Sequence, residues 1–166
     1  MRKVLSVFAA VLLLAACETA SDQSAGTAGT GGATGAGAAA TTARPGPRPG
    51  SQEDLVANVG DRVFYDFDKS DLKPEARRTV ERWAAWLLQY PNVNVTIEGH
   101  CDERGTREYN IGLGERRAAA AKNFLVSLGI DARRVATISY GKERPAVVGS
   151  NEAAWSQNRR GVMVVN

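Results

Sequence analysis

The chain has 166 residues, 43% apolar and 23% charged, which fits an ordinary soluble globular protein of one domain or two small ones. Its formal charge of +3 falls to +1 once Arg2 and Lys3 are set aside, and from Ser51 onward 17 Lys and Arg face 16 interspersed Asp and Glu. Composition therefore gives no footprint for nucleic acid or another polyanion.

Arg2 and Lys3, the apolar run Val4 to Leu14 and the small residues after it read as a secretory leader over residues 1–16. These eleven residues, apolar but for Ser6, are too few to span a bilayer, which takes about 20. The junction Leu14-Ala15-Ala16-Cys17 resembles the lipobox of bacterial lipoproteins. That resemblance implies that the Cys17 thiol is alkylated by a diacylglyceryl group and that cleavage exposes its amine for a further acyl chain. Each buried CH₂ contributes about 0.8 kcal/mol, so several acyl chains anchor a protein almost permanently. Cys101 is then left without a disulfide partner, and the fold must rest on its core.

Residues 17–50 read as a lipidated N-terminus and a disordered tether. Gly, Ala, Ser and Thr crowd Thr19 to Thr42, and Arg44-Pro-Gly-Pro-Arg-Pro-Gly50 adds local stiffness. The typical reach of such a tether is about 30 Å, rising toward about 100 Å when it is pulled straight. A plain spacer with no length requirement has the same composition.

All three tryptophans, all four tyrosines and three of the four phenylalanines follow residue 60, so a single domain is expected over residues 51–166. Val63, Tyr65 and Phe67 alternate within Arg62 to Phe67 and predict a strand. Pro74 and Glu75 suit a first helical turn, and Ala76, Val80, Trp83, Leu87 and Tyr90 continue at helical spacing until Pro91-Asn92. Val93, Val95 and Ile97 alternate with polar residues as a second strand ending near Gly99-His100. A second helix is expected from about Leu113 to Leu128, closed by Gly129. Val135 to Tyr140 and Gly161 to Val165 read as further strands, with a short helix between Asn151 and Arg160. The order β-α-β-α-β-β argues for an α/β two-layer sandwich, a small mixed sheet with helices on one face. The loops after the first two strands should then share one edge.

The chemistry concentrates between Gly99 and Ala118. Leu113, Arg117, Ala121, Phe124 and Leu128 form one helix stripe, which puts Arg117 on a core face where its charge needs a partner. Asp102 lies just past the carboxyl end of a strand, where α/β folds bind ligands. Two arrangements fit: an internal Asp102 to Arg117 salt bridge that fixes the loop, or a receptor holding an amino acid by its ammonium at Asp102 and its carboxylate at Arg117. His100-Cys101-Asp102-Glu103 lacks the spacing of a zinc site, and the only candidate thiol lies beside the only His in sequence, which does not suit a nucleophile and base facing one cleft. The expectation is a binding protein without metal or cofactor rather than an enzyme.

Gly99-His100-x-Asp102-x-x-Gly105-Thr106, Asn110-x-x-Leu113-Gly114-x-x-Arg117-Ala118, Ser139-Tyr140-Gly141 and Asn158-Arg159-Arg160 resemble the OmpA-like peptidoglycan-binding domain over about residues 60–166. The resemblance implies non-covalent binding of peptidoglycan stem peptides through meso-diaminopimelate. It places Asp102 and Arg117 at the two charged ends of a cleft, with Phe67, Asp68 and Leu113 lining it. Cys101 departs from the Ala or Thr frequent at that position. With the lipobox, the resemblance also implies anchorage in the outer membrane with the domain facing the periplasm, TolB and TolA of the Tol system as protein partners, and a part in envelope integrity and cell division.

Overall fold

The computed structural model describes residues 46–166; the expected leader, Cys17 and the tether up to residue 45 lie outside them. The described part opens with helix α1, Gln52–Asn58, which pattern did not predict. Ser51 caps it by accepting from the Asp54 N–H at 3.3 Å, Glu53 and Asp54 occupy its positive end, and Leu55 enters the core. Strand β1 is only Arg62–Phe64, shorter than the expected run to Phe67. Helix α2, Pro74–Gln89, follows as expected, and strand β2 runs Val95–His100.

Helix α3 spans Arg107–Ser127 and starts two turns earlier than its apolar stripe suggests. Thr106 caps it through the Tyr109 N–H at 3.2 Å. A single 3-10 turn, Ala132–Arg134, leads into β3, Val135–Gly141; helix α4, Glu152–Asn158, and strand β4, Arg160–Val165, complete the domain.

The sheet order is β1-β4-β2-β3, with β4 antiparallel to β1 and β2, and β2 parallel to β3. This is the expected mixed α/β sheet. Because β1, β2 and β3 point the same way, their carboxyl ends and the amino end of β4 share one edge. Val63, Val95, Ile97 and Met163 face α2 and α3 across the core, together with Val80, Trp83, Leu87, Ala121 and Leu125. The two core tryptophans satisfy their indole N–H groups, Trp83 on the Gly60 carbonyl at 2.6 Å and Trp86 on Asp54 at 2.9 Å.

One close approach sets the site. A Cβ on Gly99 would lie 1.9 Å from the Gly114 carbonyl oxygen, and a Cβ on Gly114 would lie 2.2 Å from Ser139 Oγ. Backbone therefore packs on backbone where α3 crosses the end of β2, and Arg117, one turn beyond Gly114, lands against the β2 exit loop.

Candidate functional site

A cavity of about 150 Å³ opens at the shared edge of the sheet. Phe67 and Asp68 reach it from the loop after β1, Asp102 from the loop after β2, and Leu113 and Arg117 from α3. All five residues singled out from sequence thus line one cavity. Cys101, Arg104, Tyr109 and Asn110 also line it and were not foreseen.

Asp68 is the one non-glycine residue with positive φ among the described residues, at 57°, a left-handed conformation that Asp tolerates better than most side chains. Its carboxylate accepts from the Tyr109 hydroxyl, which ties the loop to α3. Phe67 beside it remains 57% exposed and forms part of the rim.

Arg117 is fully buried, and its surroundings differ from the internal salt bridge considered above. Nε donates to the Lys69 carbonyl at 2.8 Å, Nη1 to the His100 carbonyl at 2.9 Å and to Cys101 Sγ at 3.3 Å, and Nη2 to the Asp66 carbonyl at 3.0 Å. No carboxylate of the described residues forms an ion pair with it. The internal Asp102 to Arg117 bridge is therefore absent, and backbone dipoles from the loop after β1 and from the end of β2 hold the guanidinium instead. Burial pushes its pKa below the usual guanidinium value, while the neighbouring Cys101, Tyr65 and Asp102 oppose that shift. Tyr65 sits under the head group at 5.2 Å and donates its hydroxyl to the Arg117 carbonyl at 2.8 Å.

Asp102 is 4% exposed and takes its counter-charges elsewhere. Arg104 reaches it with Nη2 at 2.7 Å and Nε at 3.2 Å, and Arg159 with Nη1 at 3.4 Å. Burial raises its carboxyl pKa, but the hydrogen bonds and charge of Arg104 and the bond from Arg159 outweigh burial and hold it below the usual carboxylate value. Arg104 is stacked between the Phe67 and Trp155 rings, 4.0 Å from each centroid. Sequence spacing gave no signal for Arg104 or Arg159, because their partner is set by loop geometry and by the α4 to β4 junction.

Cys101 is 3% exposed, accepts from Arg117 and donates to the Asn110 carbonyl at 3.4 Å. Burial raises its thiol pKa. A thiol reagent should label Cys101 only when the chain is denatured, and rapid labelling of the folded protein would contradict this packing. No group of three or more potential metal ligands occurs among the described residues.

The OmpA family model matches residues 64–159, which contain every residue of this cavity. The peptidoglycan-associated lipoprotein of Rhizobium meliloti is 56% identical over 117 residues, covering 70% of this chain and 66% of that one, just under two thirds of its length. The peptidoglycan-associated lipoprotein of Pasteurella multocida is 40% identical over 162 residues, 97% of this chain and 95% of that one. Among solved structures, the peptidoglycan-associated lipoprotein from Burkholderia pseudomallei superposes with a TM-score of 0.62 at 37% identity, over 64% of this chain and 90% of that one. The C-terminal domain of Helicobacter pylori MotB, 17% identical with a TM-score of 0.55 over 63% of this chain and 84% of that one, shares the fold. With a family model spanning more than half its length and a relative 40% identical along nearly all of it, the chain belongs to the OmpA family, among the peptidoglycan-associated lipoproteins.

Proposed function

We propose that this chain binds peptidoglycan non-covalently, taking the free amino-acid end of meso-diaminopimelate from a stem peptide into the cavity between Phe67, Asp68, Asp102, Leu113 and Arg117. The observation that carries this reading is the buried guanidinium of Arg117 without a carboxylate of its own. A buried cation held only by dipoles remains open to an anion. Three of its five N–H groups go to carbonyls and a fourth goes to sulfur, a weak acceptor. That leaves one N–H free for a ligand carboxylate, and a second held only by sulfur. The ammonium would join the carboxylates of Asp102, now shared by Arg104 and Arg159, and Asp68, now holding Tyr109, and the methylene chain would lie against Leu113 and Phe67.

Residues 1–16 act as the leader, Cys17 as the lipid anchor in the outer membrane, residues 17–50 as the tether and residues 51–166 as the wall-binding domain in the periplasm. The wall is thereby linked to the outer membrane, and TolB and TolA are the partners through which this link serves envelope integrity and division. The chain performs no chemistry on its ligand.

Co-sedimentation of the full-length protein with purified sacculi tests the ligand. Asp102→Asn keeps size and loses charge, and binding should fall roughly 30-fold to several thousand-fold, the range for a lost charge-assisted pair of about 2 to 5 kcal/mol. Wild-type sedimentation by folded Asp102→Asn defeats the reading. Cleaved muropeptides after incubation would instead favour an enzyme. Cys17→Ser should move the protein from the membrane to the soluble fraction, and unchanged fractionation with no acyl mass would rule the anchor out.

A further inference from the structure

The two arginines at Asp102 are not equivalent. Arg104 belongs to the cavity wall, its side chain is 31% exposed, and it lies on the same loop as the carboxylate it holds. An incoming ammonium must share or take its place. Arg159 comes from the other side, at the junction of α4 and β4, with a side chain only 8% exposed and outside the cavity wall. It is fixed by Nε donating to the Tyr65 carbonyl at 3.1 Å and by Nη2 on Glu152 at 2.5 Å, which leaves Nη1 aimed at Asp102.

We infer that Arg159 is a positioning residue, the permanent counter-ion that keeps Asp102 ionised and oriented while Arg104 is the exchangeable one. The inference rests on the reading that Asp102 receives the ligand ammonium. A carboxylate this buried needs a cation at all times, since an unpaired buried charge neutralises itself by taking a proton. If Arg104 yields to the ligand, Arg159 supplies the continuity. The other groups acting on Asp102 are Arg117 from α3 and its loop neighbours Cys101 and Glu103, with Glu152 of α4 sharing Arg159.

The test follows the Asp102 carboxyl carbon by NMR in the full-length chain as pH falls, alongside calorimetric titration with free meso-diaminopimelate at each pH. In Arg159→Gln the Asp102 midpoint should rise by about one pH unit, and the acid limb of binding should move with it. Arg159→Lys should restore both toward wild type. An unmoved midpoint in folded Arg159→Gln overturns the assignment, as does an affinity that falls equally at every pH in step with the melting temperature. Should Arg159→Gln not fold, the exposed Glu152→Gln decides: freeing Arg159 for Asp102 alone should lower the midpoint, and an unchanged or raised midpoint overturns the assignment. If wild type fails to bind meso-diaminopimelate while the Asp102 midpoint still shifts, the ligand reading falls and the electrostatic role of Arg159 stands.

Discussion

Arg117→Ala is expected to lower the stability of the domain by about 3 to 5 kcal/mol, the range for removing one member of a buried charged network. For a domain of this size that corresponds to a fall in melting temperature of about 15 to 25 °C. The Lys69 carbonyl of the first loop and the His100 carbonyl of β2 lose their Arg117 donor together, and the Asp66 carbonyl keeps only the Lys69 N–H. Two loop ends then come apart, and buried carbonyls without donors cost more than the bonds themselves. Arg117→Lys should recover only part of this, because one ammonium cannot match a planar fork that reaches four acceptors. Lost sacculus binding by Arg117→Ala therefore cannot by itself separate bracing from ligand recognition. Thermal unfolding with and without meso-diaminopimelate can. Ligand should raise the melting temperature of wild type by mass action and leave that of Asp102→Asn nearly unmoved. Equal shifts in both proteins would mean that the ligand binds elsewhere.

The larger elements were legible because each buries one periodic face. Val95 and Ile97 alternate on β2, and Val80, Trp83 and Leu87 repeat along α2. Helix α1 was missed because seven residues with one fully buried side chain, Leu55, make no periodicity; its only signal was Ser51 followed by Glu53 and Asp54. The first turns of α3 were missed for the same reason, since Arg107 to Tyr109 are exposed and only Asn110 is buried. The stripe correctly buried Arg117 and Ala121, but by Phe124 it had drifted, and Leu125 is the fully buried residue there. Spacing also misled on the partner of Arg117. An internal bridge to Asp102 was one expectation, yet the acceptors within the chain belong mainly to backbone, which a residue pattern does not encode. Phe67 and Asp68 entered through resemblance alone, and the left-handed turn at Asp68 that aims them has no spacing signature.

Acid should weaken the domain through His100, the single histidine of the chain. It is 2% exposed at the end of β2, and neither ring nitrogen has a hydrogen-bond partner among the described residues. Its pKa is lowered from 6.5 to about 4, by burial first and then by the charge of Arg160, with Arg144 adding to the repulsion. The Arg144 main chain works the other way and loses, and the Glu98 carboxylate lies 3.5 Å from Nε2. A folded pKa below the unfolded one means that the unfolded chain binds the extra proton in the interval between them. The stability tied to neutral His100 is thus complete above about pH 6.5 and is lost as pH falls toward about 4. A shift of that size is worth roughly 3 kcal/mol in full burial, and about 2 kcal/mol once water near the strand end screens part of it. Depressed carboxylates, Asp54, Asp66, Asp102 and Asp131 among them, contribute their own acid sensitivity below that window. Urea unfolding of wild type at about pH 7.5 and pH 5 should therefore show a loss that is absent in His100→Phe, which fills the same space without a proton to take. A wild-type curve flat across that interval would mean the ring is not held neutral by its surroundings. Because the His100 carbonyl holds Arg117 Nη1, protonating this ring in the folded protein also loosens the guanidinium beside the cavity, so this route should lower ligand affinity only as pH approaches about 4.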